Sequence, residues 1–161
     1  MQDIASNPAA TLAEELAAGR SLLQLLKDEQ ELLIKADVDG LNKATEEKSR
    51  LVGTMGELAL RRHRSLAAAG HPASESGMQD WLNSLKDPKA GQQIRQTWST
   101  LIELGSLAKE LNRTNGMLIG QHMARTQNAL YVLQGGQQGE QLYGPNGQAT
   151  GPGGGRTLVV G

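Results

Sequence analysis

The stretch Ile94–Leu133, IRQTWSTLIELGSLAKELNRTNGMLIGQHMARTQNALYVL, decides the fold class. Within it, one series of positions recurs at alternating steps of four and three residues, and we call this series the seam. Its members are Ile94, Trp98, Leu101, Gly105, Ala108, Asn112, Asn115, Ile119, His122, Thr126, Ala129 and Leu133. An unbroken heptad spacing predicts one long helix whose seam packs against another helix. Asn115-Gly116 also has the composition of a tight turn, but the register continues on both sides and favours the helix.

Polar and glycine positions interrupt this seam. A buried amide destabilises a helix interface unless it finds a partner, and polar seam residues commonly fix register. We therefore predict a register role for Asn112 and Asn115, with Trp98 as a packing residue of the seam. The alternative is that the two amides face a bound partner helix or the opposite helix of a hairpin. Gly116 and Gly120 suggest that a neighbouring helix approaches closely.

Two further helices are predicted upstream. The first starts at Asn7-Pro8 or at Thr11, where Glu14 completes a capping box, and it ends near Asp37–Gly40. Its apolar stripe consists of Leu12, Leu16, Leu23, Leu26 and Leu33. The second helix ends at Ala69–Pro72 and has its apolar positions at Leu41, Ala44, Leu51, Met55, Leu58 and Leu66. The short connection between them predicts an antiparallel hairpin.

A shorter helix follows, from a cap at Ser74 or Ser76 to the Asp87-Pro88 step, with Trp81 and Leu85 as packing residues. Phe is absent, and Leu and Ala dominate the apolar residues, a mixture that favours helices over sheets. We expect an all-α protein, an elongated antiparallel helical bundle or coiled coil of three long helices plus one short helix.

The composition changes at residue 135. Residues 135–161 contain ten Gly and two Pro, with Glu140 and Arg156 as the only charges, which is typical of a flexible tail. Apolar residues are concentrated at Leu142-Tyr143 and at Leu158–Val160, too few for a core of their own. We therefore divide the chain into a helical bundle domain, 1–134, and a Gly/Pro-rich tail, 135–161.

Charge and hydropathy exclude several classes of partner. The 16 basic and 17 acidic residues give a net charge of -1, too balanced for a nucleic-acid binder. No run of 18 apolar residues indicates membrane insertion, and the N-terminus lacks the pattern of a secretory signal. Cys is absent, which fits a reducing compartment. The expected location is the cytoplasm.

No pattern of catalytic or metal-binding residues is found. His63, His71 and His122 fall on separate predicted elements, without Cys or an HExxH-like spacing. The turn at Asp37–Gly40 resembles a calcium loop only superficially, because Gly comes at its fourth place. Arg61–Arg64 is interpreted as a charged helix end, and the carboxylates as members of solvated helix faces. We expect no catalytic residue, no metal and no cofactor, and hence a binding protein that is not an enzyme.

Four segments, in this order and spacing, carry a family resemblance. They are Thr45–Ser49 (TEEKS) with Leu51 and Arg62 downstream, Trp98 ahead of Leu111–Gly116 (LNRTNG), Ala129-Leu130 with Val132-Leu133, and Leu142–Gly144 (LYG) with Gly147-Gln148. The chain resembles the FlgN family of flagellar type III export chaperones. Residues 71–91 look longer than in compact members, and nothing after Thr150 matches, so the roles of 71–91 and 151–161 stay open.

The resemblance implies a chaperone that holds the C-terminal helices of flagellar hook-associated proteins, FlgK and FlgL, against premature assembly, and delivers them to the export gate protein FlhA. It implies client-binding residues at Leu130, Tyr131, Leu133 and Leu142, and Tyr143 as the gate-docking residue. The free chain is expected to be a monomer or weak dimer. The alternative function is a coiled-coil adaptor or regulatory protein that self-associates through the Ile94–Leu133 seam.

Overall fold

The computed structural model describes the backbone of residues 7–141 and the side chains of residues 7–135. It contains α1, Leu12–Lys35, α2, Val38–Ala68, α3, Glu75–Ser84, and α4, Pro88–Gln141. Three long helices and one short helix, with no strand in the described part of the chain, confirm the all-α class. The chain divides into two compact units at Leu118/Ile119. The boundary at residue 134 stays a prediction, and α4 runs past it.

The start of α1 differs from the expected capping box. Thr11 occupies the N-cap position, but its side chain makes no capping hydrogen bond. Its hydroxyl instead donates to the Glu15 carboxylate at 2.7 Å. The predicted box between Thr11 and Glu14 is therefore wrong, because Glu15 is the residue turned towards the helix interface.

Asp37 and Asp87, which lie between successive helices, both belong to the N-terminus of the helix that follows. α1 ends at Lys35, and Ala36 takes a left-handed conformation with φ 54°. Asp37 then caps α2 by accepting a hydrogen bond from the backbone N–H of Gly40 at 3.0 Å, so Asp37–Gly40 starts α2 rather than ending α1. Asp87 likewise accepts from the backbone N–H of Lys89 at 3.0 Å, just where α4 begins at Pro88.

Side-chain contacts fix the helix directions in the first unit. Ion pairs join Glu15 to Arg62 and Glu29 to Lys48, so residues further along α1 meet residues earlier in α2. This arrangement confirms the antiparallel hairpin. α4 runs antiparallel to α2, since the Arg62 guanidinium lies over Trp98 while Lys48 contacts Asn112. α4 is therefore parallel to α1.

The main core lies where α3 meets the ends of the long helices. Its buried members are Leu12, Leu66, Met78, Leu82, Trp98 and Leu101. Trp81 and Leu85 pack against this cluster, as predicted, together with Ile94. Gly77 in α3 lies so close to the carbonyl oxygen of Pro72 that any larger side chain would clash. α3 thus closes one end of the three long helices with apolar side chains.

α4 is continuous through Asn115-Gly116, as the heptad register predicts. The expected close approach at Gly116 and Gly120 is wrong, because a Cβ at either position would meet nothing within 4 Å. In the described residues, no helix is long and apolar enough to cross a membrane.

Candidate functional site

A buried ion pair joins α1 to α2 and contacts α4. Glu15 and Arg62 are 4% and 7% exposed, and Arg62 donates from Nε to Oε1 at 3.1 Å and from Nη2 to Oε2 at 3.2 Å. The guanidinium lies 4.8 Å from the centroid of the Trp98 ring, a cation–π distance. The interpretation of Arg61–Arg64 as simply a charged helix end is therefore wrong for Arg62, which is buried in an ion pair.

A second polar cluster joins the same three helices further along. Lys48 donates to Glu29 Oε1 at 2.6 Å, and buried Asn115 donates from Nδ2 to Glu29 Oε2 and to the Leu26 carbonyl, both at 2.8 Å. Asn112 is exposed, and its Oδ1 lies 3.5 Å from Lys48 Nζ. The two seam asparagines thus occupy different environments, and Asn115 makes the direct contact between helices that a register role requires.

The prediction that the carboxylates lie on solvated helix faces is wrong for Glu15 and Glu29, because both are buried. Their spacing carries a signal, because Glu15 follows Leu12 by three positions and Glu29 follows Leu26 by three, and both leucines belong to the predicted stripe of α1. Both carboxylates are buried in spite of their charge, because each has a cationic partner on α2.

The second unit presents an apolar stripe on α4. Ile119, Met123, Leu130 and Leu133 share one helix face with Thr126, because they follow one another at steps of four and three. Their exposed fractions are 39%, 59%, 54% and 68%. We call these five residues the distal stripe. A contiguous row of exposed large apolar side chains is typical of an interaction surface.

The structure brings some of the predicted site residues together and separates others. Leu130 and Leu133 lie on the distal stripe, whereas Tyr131, 77% exposed, is rotated about 100° from Leu130 around the helix. Leu142 and Tyr143 lie outside the described residues. Met123 was missed, although its position four after Ile119 and three before Thr126 is a detectable signal. Its flexible thioether side chain suits an adaptable contact.

Charge is distributed unevenly along α4. From Ile119 to Gln141 the sequence has only Arg125 and Glu140 as charged residues. In the first unit, by contrast, Arg113 donates to Glu110 at 2.6 Å, and this hydrogen bond lowers the pKa of Glu110 and raises that of Arg113. Among the described side chains, no group of three or more His, Cys, Asp or Glu residues could hold a metal ion. The distal stripe therefore offers an apolar surface with few charges near it.

The protein is therefore an all-α helical bundle with buried polar clusters in its first unit and an exposed apolar helix face in its second. Comparison with known proteins identifies the family. The model of the FlgN protein family matches residues 1–151, and the chain belongs to this family.

Curated relatives agree with this assignment. The chain is 29% identical to the flagella synthesis protein FlgN of Proteus mirabilis over 142 residues, covering 86% of this chain and 87% of the relative. It is 28% identical to the protein of the same name from Yersinia enterocolitica, over 87% of each chain. It is also 28% identical to that of Salmonella typhimurium, over 80% of each chain. No solved structure matches. The resemblance inferred from the four sequence segments is confirmed.

Proposed function

We propose that this FlgN-family protein is a cytoplasmic chaperone for flagellar hook-associated proteins of the FlgK and FlgL type. It binds their C-terminal helices, prevents their premature assembly and delivers them to the export gate protein FlhA. The observation that carries the proposal is the distal stripe, an exposed apolar face of α4 in a member of a flagellar family. Its role is binding, not catalysis.

The distal stripe has the spacing to receive an amphipathic helix. A partner helix can place its own apolar seam between Ile119, Met123, Leu130 and Leu133, as in a coiled coil. Each side chain that becomes fully buried contributes about 1.5 to 3 kcal/mol, while ordering a flexible client segment costs about 2 to 5 kcal/mol. Four such anchors give firm yet reversible binding, which suits a chaperone that must release its client.

The neighbouring residues extend this surface. We assign Tyr131, adjacent to the stripe, and Leu142, beyond the described residues, to the same client contact. Tyr143 is assigned to docking at FlhA. Because different residues serve the two partners, we expect that mutation separates them: Tyr143→Ala retains the hook-associated protein and loses the gate protein in the same pull-down.

A pull-down of purified hook-associated protein on the full chain tests the client contact. Leu133→Ala removes a stripe residue, and Val132→Ala is a matched control, because Val132 is 69% exposed but lies off the stripe. We expect about tenfold weaker binding for the first and a change of less than about twofold for the second. Equal affinities for Leu133→Ala and the wild type would contradict the proposal.

The distal stripe also suits a second copy of the chain, and it lies within the Ile94–Leu133 stretch that the adaptor alternative uses. Measurement of mass in solution separates the two functions. A monomer that forms a one-to-one complex with a hook-associated protein supports the chaperone. A stable homo-oligomer that ignores these proteins and dissociates on Leu133→Ala supports the adaptor.

A further inference from the structure

The described part of the chain leaves the distal stripe uncovered, although its apolar members form a continuous row. Met123 and Leu133, for example, are 59% and 68% exposed. Proteins rarely leave a contiguous apolar patch open to water unless another apolar surface binds it. Residues 142–161 of the same chain follow Gln141, the last described residue of α4. This part of the sequence is therefore the first place to look for a segment that covers the stripe.

The sequence beyond α4 contains a linker and a small apolar cluster. Residues 144–156 (GPNGQATGPGGGR) include six Gly and two Pro, and they include no aromatic residue and no Val, Ile, Leu or Met. Leu158, Val159 and Val160 then follow consecutively, and we call them the tail cluster. Large apolar side chains are unfavourable in water. Because the linker offers them no apolar partner, we expect the tail cluster to pack on another surface.

The linker has a suitable length to bring the tail cluster back to the stripe. Gly-rich linkers have a root-mean-square end-to-end distance of about 5 to 6 Å times the square root of the number of residues. For the 17 residues from Gln141 to Leu158, this composition predicts about 21 to 25 Å. Leu133 and Met123 lie 8 and 18 residues before Gln141, which is about 12 and 27 Å along α4. The predicted distance falls between these two values.

We infer that the tail cluster packs on the distal stripe of its own chain and covers it when no client is bound. A segment on a flexible linker reaches an effective concentration of about 1 mM at a site whose distance matches the length of the linker. A contact with a dissociation constant of about 0.2 mM, weak for a separate peptide, is then formed more than about four-fifths of the time. A short apolar cluster is sufficient for a contact of this strength.

The contact makes the tail cluster a competitor of the client helix, and this part of the inference rests on the proposed function. An intramolecular competitor lowers the apparent affinity for a partner in proportion to the fraction of time that the site is open. The tail cluster has three large apolar side chains, whereas the stripe has four. A client helix that contacts the whole stripe displaces the cluster, while a segment that contacts only part of it binds too weakly to do so.

Paired cysteines test the contact directly, because the chain has no Cys of its own. Thr157→Cys, next to the tail cluster, is combined with Thr126→Cys on the stripe or with Asn128→Cys. Both helix positions are exposed, and they are two residues apart, so that Asn128 lies on the opposite face of α4. A disulfide requires Cα atoms within about 7 Å of each other. In oxidised glutathione, we expect the Thr126 pair to form its intramolecular disulfide at least about tenfold faster than the Asn128 pair.

Client affinity tests the competition. Val159→Asp places a charge in the tail cluster, and Ala149→Asp adds the same charge to the linker as a matched control. Titration calorimetry with a purified hook-associated protein should show about threefold to tenfold tighter binding for Val159→Asp than for the wild type. The affinity of Ala149→Asp should stay within about twofold of the wild type.

Equal disulfide rates for the two cysteine pairs would overturn the inference. A Thr126 disulfide that joins two chains would also overturn it, in favour of a second copy on the stripe. Unchanged client affinity in Val159→Asp overturns the competition, and weaker affinity overturns it by placing the tail cluster in the client contact itself. If the wild type binds no hook-associated protein, the proposed function fails, and the disulfide rates alone decide whether the tail cluster covers the stripe.

Discussion

The two halves of the α4 seam have the same spacing and opposite environments. Trp98, Leu101 and Ala108 are between 6% and 8% exposed in the first unit, whereas Ile119 and Leu133 are 39% and 68% exposed in the second. Both sets follow steps of four and three along one continuous helix. The heptad spacing therefore specifies which face of a helix makes contacts, and leaves open whether the partner belongs to the same chain.

Polar side chains mark the buried half. Two polar clusters join α1, α2 and α4 at fixed positions. One consists of Glu15 with Arg62, and the other of Glu29 with Lys48 and Asn115. A misaligned pair of helices would leave these charges buried without partners, which is strongly unfavourable. The distal stripe has only Thr126 as a polar member, so it has no buried polar contact of the kind that fixes helix register.

The largest effect is expected where the buried ion pair is broken. Arg62→Met removes the cation and leaves Glu15 buried without its partner, and it should lower the free energy of unfolding by about 3 to 5 kcal/mol. Urea unfolding followed by circular dichroism measures this change. The double variant Glu15→Leu/Arg62→Met should recover most of the loss, because an apolar pair leaves no buried charge. A single variant as stable as the double would show that the pair does not hold the first unit together.

Much of this fold could be predicted from the sequence. The stripe of α1, the hairpin, the short α3 and the continuity of α4 all follow from helical spacing and from Gly and Pro punctuation. Asp37 and Asp87 were predicted at the C-terminal ends of helices, but each lies at the start of the next helix. The error arises because Asp is common both in turns and at N-caps. Such boundaries depend on which backbone N–H the carboxylate reaches.

The environments of polar seam residues could not be predicted in the same way. Asn112 and Asn115 both fall on the seam, yet only Asn115 is buried, because Leu26 and Glu29 face it from α1. Arg62 looked like part of a basic run, and its burial depends on Glu15, 47 residues away in the chain. These outcomes depend on pairing between distant helices, which local spacing does not encode.

A matched pair of leucines tests the comparison of the two halves directly. Leu101→Ala, on the buried seam, should lower the free energy of unfolding by about 2 to 4 kcal/mol through lost apolar contact and the cavity that it leaves. Leu133→Ala, on the distal stripe, should change it by less than about 0.5 kcal/mol, since the side chain is mostly exposed. Thermal or urea unfolding of the full chain gives both values. Comparable losses at the two positions would mean that the distal stripe is part of the folded core in solution.

The smallest of these differences concerns the two seam asparagines. Asn115→Ala removes two hydrogen bonds of 2.8 Å to α1, leaves the Leu26 carbonyl and Glu29 short of a donor, and should destabilise the chain by about 2 kcal/mol. Asn112→Ala, on the same helix and with the same change of side chain, should alter the free energy of unfolding by less than about 0.5 kcal/mol, because Asn112 is exposed. Urea unfolding at neutral pH resolves the difference. Equal changes in the free energy of unfolding would contradict the distinction between a seam amide that fixes register and one that is merely tolerated. A larger effect at Asn112 than at Asn115 would place the register contact at Lys48 instead of Glu29.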